Sequence, residues 1–317
     1  MKKLLPLFLF AAIGSVALCF DACNSSTDTT AASTPEDSIQ GLMARGDYLV
    51  HSVVNCVDCH SALDTNKFSF PLVPGTEGMG GLALHEVDQI PGKVWIPNIT
   101  PFALKDWTDE EIARAITRGI NKNGDTLFPV MPYHGLSHMA KEDVDAVITY
   151  IRALKPIENT IPKREMYMPM SAFGPLPDND YKQNTIPDST DMVKYGEYLV
   201  SIAHCTDCHT PFTPEGAPDF AKYLAGGHRF ENRFFTVTVA NITPDSATGI
   251  GTWTEAMFLA KFRTNAAPEN LNTTPGKKNT IMPWSFFGTM KDHDLKAIYA
   301  YLRTVPPVSH KIVKWEE

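Results

Sequence analysis

Hydrophobic and polar positions divide the chain into an apolar start, a polar stretch and a long helical remainder. After Lys2 and Lys3, residues 4–20 are mostly apolar, a run of 17. A spanning helix needs about 20 such residues, so residues 1–23 are predicted to be an export signal, a lipoprotein signal or an anchor. Residues 24–40 open with Asn24-Ser25-Ser26-Thr27-Asp28 and predict a flexible tether. Residues 40–55 predict a helix. Thr108 and Glu111 form a capping box and predict a second helix over 109–118. Val144, Val147, Ile148, Ile151 and Leu154 make one apolar stripe at helical spacing, and residues 295–302 repeat it. One strand is predicted, at 234–239.

The pattern occurs twice. Gly46-Asp47-Tyr48-Leu49-Val50 matches Gly196-Glu197-Tyr198-Leu199-Val200. Cys56-Val57-Asp58-Cys59-His60 matches Cys205-Thr206-Asp207-Cys208-His209. Gly80-Gly81, Asn98-Ile99-Thr100-Pro101, Trp107-Thr108, Met131-Pro132-Tyr133 and Tyr150-Ile151-Arg152 recur in the same order, at offsets between 143 and 151. A duplicated domain explains this. The copies are expected over 41–158 and 193–310. A proline-rich linker (159–192) and a tail (311–317) complete the chain.

Composition narrows the function. The chain has 317 residues, 43% hydrophobic and 20% charged, enough to build a core. Its 24 prolines predict long loops. A formal net charge of −8 argues against a general nucleic-acid binder, which needs basic surface.

The chemistry sits on the two Cys-x-x-Cys-His signatures, the attachment motif for c-type haem. Cys56 with Cys59, and Cys205 with Cys208, lie three residues apart on one helical turn and suit the two vinyl groups of a porphyrin. His60 and His209 then offer an imidazole to the iron. Zinc binding, thiol redox chemistry and a disulfide in each pair are the alternatives. Against zinc, the two signatures are 149 residues apart in separate repeats. Met131 and Met282, each before Pro and an aromatic residue, are candidate sixth ligands. Met139 and Met290 also match across the repeat and compete for that role, and His134 and His138 are replacement candidates in the first copy only. Asn98, Thr100, Asn241, Thr243, Trp107 and Trp253 are candidate donors to haem propionates, or ordinary loop and core structure.

Together these motifs make both copies similar to class I cytochrome c domains. The run from Ala44 to Val308 resembles the multi-haem cytochrome c subunits of bacterial membrane-bound alcohol and gluconate dehydrogenases. The resemblance rests on Gly-x-Tyr-Leu-Val before Cys-x-x-Cys-His, then Asn-Ile-Thr-Pro, Trp-Thr and Met-Pro-Tyr/Trp before a last helix ending in Tyr-x-Arg. It implies a mostly α fold: two tandem domains with long loops around two covalently bound haem c groups. It implies an electron-transfer protein rather than an enzyme, taking electrons from a dehydrogenase and passing them to a respiratory-chain acceptor. A di-haem peroxidase with one open iron is the alternative. Those subunits commonly carry three haems and a carboxy-terminal membrane helix; this chain has two signatures and no such helix. Cys23, after Ala22 and before the Ser/Thr tether, resembles a bacterial lipoprotein processing site. The chain is thus expected to be exported and held at the periplasmic side of a membrane through its amino terminus.

Overall fold

A computed structural model describes residues 38–315. The export signal, most of the tether, and both Cys19 and Cys23 lie outside the described residues.

Helices dominate. The first repeat runs through α1 (Ile39–Tyr48), α2 (Cys56–Cys59), β1 (Ala83–Leu84), β2 (Gly92–Trp95), α3 (Pro101–Leu104), α4 (Asp109–Arg118), α5 (Tyr133–Leu136) and α6 (Lys141–Ala153). The segment between the repeats adds β3 (Glu165–Met166). The second repeat runs through α7 (Met192–Ile202), α8 (Cys205–His209), β4 (Arg229–Glu231), β5 (Thr236–Thr238), α9 (Glu255–Asn265), α10 (Pro268–Leu271), α11 (Trp284–Phe287) and α12 (Asp292–Leu302).

Local chemistry sets the ends. Ser38 caps α1 by accepting from the Gly41 N–H at 3.0 Å, so the helix begins two residues inside the expected tether. The predicted helix over 40–55 does not run through as an α-helix: Leu49–Val53 is a π-helical turn, and Asn55 then reverses the chain in the left-handed region. Thr108 and Glu111 form the expected capping box, and Gly119 ends α4 at φ 63°.

The strand expectation was too sparse. Among the described residues five short strands form two small antiparallel sheets, ordered β1–β2–β3 and β4–β5. Of the expected 234–239, only Thr236–Thr238 is strand. The residues between the repeats are extended but not free. β3 pairs with β2, setting Gly92 opposite Met166. Phe173 packs edge-on against Phe128 at 5.0 Å, and Asn184 donates to the carbonyls of Ser137 and Met139. The tail is also tied down. The Thr238 N–H donates to Lys314 at 2.9 Å, and the Trp315 indole donates to Asn279 at 3.0 Å.

In each repeat the first and last helices cross, α1 on α6 and α7 on α12. Glycine permits the approach. A Cβ on Gly46 would lie 2.1 Å from the Ala146 oxygen, and one on Gly196 would lie 1.9 Å from that of Ala297. This explains the glycine of the duplicated Gly-x-Tyr-Leu-Val.

The two repeats share one core. Buried residues of both, including Leu49, Val147, Leu199 and Leu295, form a single apolar cluster. The packing is reciprocal: α5 rests on α7, and α11 rests on the π-turn after α1. Hydrogen bonds cross the same boundary. Tyr48 donates to Asp294 at 2.6 Å, and Tyr198 donates to Asp143 at 2.6 Å. Asp143 also receives both arms of Arg45, at 2.7 and 2.8 Å. At the position of Arg45 the second repeat has Tyr195, which donates to Asp294 at 3.3 Å. These pairs fix one signature-bearing half against the other.

Candidate haem sites

A left-handed residue opens each signature: Asn55 at φ 57° before Cys56, and His204 at φ 43° before Cys205. The following helical turn puts the two thiols of each pair on one side, and the His60 N–H closes back on the Cys56 carbonyl at 3.0 Å. The four signature cysteines are free and half-buried, with no disulfide in either pair. Burial pushes the Cys56, Cys205 and Cys208 thiols up to about 12, and Cys59 higher. Thiol redox chemistry needs a depressed pKa and a ready thiolate; these thiols are held protonated. Among the described residues no three His, Cys, Asp or Glu side chains group as a metal cluster, so the zinc reading finds no ligand set.

The histidines are prepared as ligands. His60 Nδ1 lies 2.7 Å from the Pro97 oxygen, and His209 Nδ1 lies 2.7 Å from that of Ala240. A carbonyl only accepts, so Nδ1 carries the proton and Nε2 keeps its lone pair for a metal. Burial lowers the pKa of both rings, that of His209 to about 4, so both are neutral near pH 7.

The duplicated glycines build this clamp. Gly80 donates its N–H to the His60 carbonyl at 2.8 Å, and Gly226 donates to that of His209 at 2.7 Å. A Cβ on Gly80 would lie 2.5 Å from the Pro97 carbonyl carbon; one on Gly226 would lie 2.4 Å from that of Ala240. Each glycine thus lets one loop touch the histidine backbone and the carbonyl-bearing segment together.

The methionines separate into two kinds. Met139 and Met290 are fully buried within the core. Met131 and Met282 are half-buried at its margin, on bends ahead of α5 and α11. A ligand to a bound group needs an approachable sulfur, and the second pair meets that need. His134 and His138 are exposed.

The Asn-Ile-Thr-Pro loops are structural. Asn98 Oδ1 accepts from both the N–H and hydroxyl of Thr100, and its amide donates to the Ile157 carbonyl at 2.8 Å. Asn241 does the same with Thr243 and with Val308. These groups are already paired, so the propionate-donor expectation is replaced by a tie between the loop and the chain leaving the last helix. The arginine of Tyr-x-Arg is a second tie. Arg152 holds the Leu104 and Trp107 carbonyls, and Arg303 holds that of Gly251.

The two signatures lie close together. Cys208 is among the groups that raise the Cys59 pKa, and Asp58 is among those that raise Cys208. His204 donates to the Val54 carbonyl, and its ring lies 6.2 Å from Phe287. The donor chemistry fits haem c: two protonated thiols on one turn, an adjoining imidazole with a fixed tautomer, and a methionine on a braced loop. Asn55, beside Cys56 and 3% exposed, leaves both amide atoms without a partner from the polypeptide. A buried polar group needs such a partner, so a group from outside the chain has a role there.

Sequence reasoning missed Ser69, Asn279 and Thr280, buried polar residues around the Met282 loop. None belongs to the duplicated motifs, and no spacing rule marks them.

No family model matches the chain. It is homologous to cytochrome c proteins over most of its length. It is 29% identical over 306 residues to the cytochrome c subunit of a quinone-type alcohol dehydrogenase from Gluconacetobacter polyoxogenes, covering 88% of this chain and 59% of that protein. It is 27% identical to the gluconate 2-dehydrogenase cytochrome c subunit of Pantoea cypripedii, covering 87% of this chain and 62% of the relative. It is 24% identical to a diheme cytochrome c of Cereibacter sphaeroides, covering 85% and 88%. The chain thus spans about three fifths of the length of the two dehydrogenase subunits.

Proposed function

We propose that the chain is a di-haem c-type cytochrome that carries electrons from a dehydrogenase to a respiratory-chain acceptor. The observation that carries this reading is the matched pair of 2.7 Å bonds from His60 to Pro97 and from His209 to Ala240, each beside a pair of protonated thiols. Cys56 and Cys59 would hold one haem c, and Cys205 and Cys208 the other, with tandem class I domains as the housing. His60 with Met131, and His209 with Met282, would be the axial ligands. Haem c so bound supplies a one-electron ferric–ferrous couple, and a neutral thioether favours the ferrous form.

The polypeptide's own work is binding and exclusion. The backbone carbonyls hold each imidazole in one tautomer. Pro132 and Pro283 stiffen the methionine loops. With His60 and Met131, and His209 and Met282, holding the two groups, no position would be left for a substrate, and the protein would work as an electron carrier without a catalytic base. The dehydrogenase relatives support a dehydrogenase as electron donor. We place the protein at the periplasmic side of a bacterial membrane, anchored through a lipid on Cys23 or an uncleaved signal. No helix among the described residues is long and apolar enough to cross a membrane.

The test is the absorption spectrum of the dithionite-reduced holoprotein before and after carbon monoxide, with haem counted as the pyridine complex. Two haems per chain and low-spin bands unchanged by carbon monoxide are expected. A carbon monoxide shift in half the signal would overturn double His/Met ligation in favour of a peroxidase-like site. Haem-free protein from a host competent in haem attachment would overturn the cytochrome reading.

A further inference from the structure

A loop of the first repeat lies on the methionine loop of the second. Ser69 and Phe70 are both left-handed, at φ 58° and 48°, a conformation that non-glycine residues avoid. Such backbone persists only where its surroundings over-determine it. Here they do. The Ser69 N–H donates to Asn279 Oδ1 at 2.9 Å, and the Asn279 amide donates to Lys67 at 3.0 Å. The Ser69 hydroxyl donates to the Met282 carbonyl at 2.9 Å, and the Ser285 hydroxyl donates to the Ser69 carbonyl at 3.2 Å. The Phe70 ring lies 5.8 and 5.6 Å from Phe234 and Phe235. Ser69 is 2% exposed.

The methionine backbone is therefore held at both ends. Its N–H donates to the Thr280 hydroxyl at 3.1 Å, and its carbonyl accepts from the Trp284 N–H at 2.9 Å and, from the other repeat, from the Ser69 hydroxyl at 2.9 Å. Met131 shares the local carbonyl bond but lacks the brace from the other repeat. Its N–H donates to Phe128 at 3.1 Å and its carbonyl accepts from Tyr133 at 2.8 Å, both inside the first repeat. At the positions matching Asn279 and Thr280 the first repeat has Phe128 and Pro129, neither of which offers a side-chain hydrogen bond.

We propose that Ser69 is a positioning residue for the second haem site: by holding the Met282 carbonyl it holds the thioether, so the first repeat controls the sixth ligand of the second iron. This rests on the di-haem reading with Met282 as ligand. A thioether is a weak neutral ligand, so its residence on iron depends on how rigidly its loop is held. The control runs one way, because Met131 has no counterpart of Ser69.

The test uses the reduced holoprotein and carbon monoxide as the probe, comparing wild type, Ser69→Gly, Ser69→Ala and Met282→Ala. Ser69→Gly relaxes the left-handed backbone and removes the hydroxyl, so the loop keeps its fold. Its carbon monoxide reactivity is expected to rise roughly tenfold at one haem, on the scale of one buried hydrogen bond. The other haem should stay as in wild type, and the reactive haem should be the one that Met282→Ala opens. Ser69→Ala should match in direction. Wild-type reactivity in Ser69→Gly beside an opened haem in Met282→Ala would overturn the role of Ser69 and leave the ligand reading standing. Equal reactivity gained at both haems would mean general loosening and would also overturn it. A Met282→Ala protein with no opened haem would overturn the ligand reading itself.

Discussion

His60 Nδ1 and the Pro97 carbonyl oxygen are 2.7 Å apart, and the bond repeats between His209 and Ala240. The acceptor is main chain, so no side-chain change at 97 or 240 removes it. It depends on how closely the glycine loop sits against that segment.

Gly80→Ala and Gly226→Ala should therefore disturb the ligand without touching it. Both glycines have positive φ, 66° and 68°, and a Cβ at either meets backbone at 2.4–2.5 Å. Left-handed strain and overpacking together cost about 2–5 kcal/mol. Each variant should lose that much stability in chemical unfolding and broaden the spectrum of its own haem. Gly124→Ala, at φ 89° with open space around it, is the control. It should cost only the strain, about 1–2 kcal/mol.

His204 makes the junction between the repeats acid-sensitive. Burial lowers its pKa to about 4, against its donation to Val54. A histidine depressed in the fold binds fewer protons there than in the unfolded chain, so stability rises with pH between the two values. Its contribution is complete above about 6.5 and is lost as pH falls toward 4. His204→Asn copies Asn55 of the first repeat, tolerates the left-handed backbone, and does not titrate. Urea midpoints measured from pH 7 to pH 4 should fall less steeply in this variant than in wild type.

The duplicated motifs were legible because each carries a contact that both repeats need. Gly46 and Gly196 admit a crossing helix, Gly80 and Gly226 admit the carbonyl-bearing segment, and Thr108 caps α4. The thiols and histidines were legible because spacing along one helical turn is local information. What stayed hidden is non-local. The shared core depends on how α5 and α11 land on the opposite repeat, which periodicity does not encode. Ser69 was invisible because its partners lie more than two hundred residues away and its left-handed backbone is not written as glycine. The short strands were missed because two or three residues show no alternation to read.

The crossed tyrosines should be unequal. Without Tyr198, Asp143 keeps the paired arms of Arg45. Without Tyr48, Asp294 keeps only the longer bond from Tyr195, at 3.3 Å. Hydrogen bonds to charged groups are worth about 1.5–3 kcal/mol. Tyr48→Phe should fall near the upper end of that range and Tyr198→Phe near or below the lower end, measured by urea unfolding of the holoprotein. Equal losses would mean that Arg45 does not compensate Asp143.

The four paired methionines should separate by readout. Met139 and Met290 are 0% and 1% exposed, so truncation to Ala leaves a cavity in the shared core. Each should cost about 2–5 kcal/mol and leave the reduced low-spin spectrum intact. Met131 and Met282 are only half-buried, and truncation removes less packing. Met131→Ala and Met282→Ala should cost little in unfolding, yet each should lower one haem's potential and admit carbon monoxide at that haem alone. The two assays together decide the assignment. If Met139→Ala or Met290→Ala opened an iron, the buried pair would be the ligands, and the loops ahead of α5 and α11 would be mere braces.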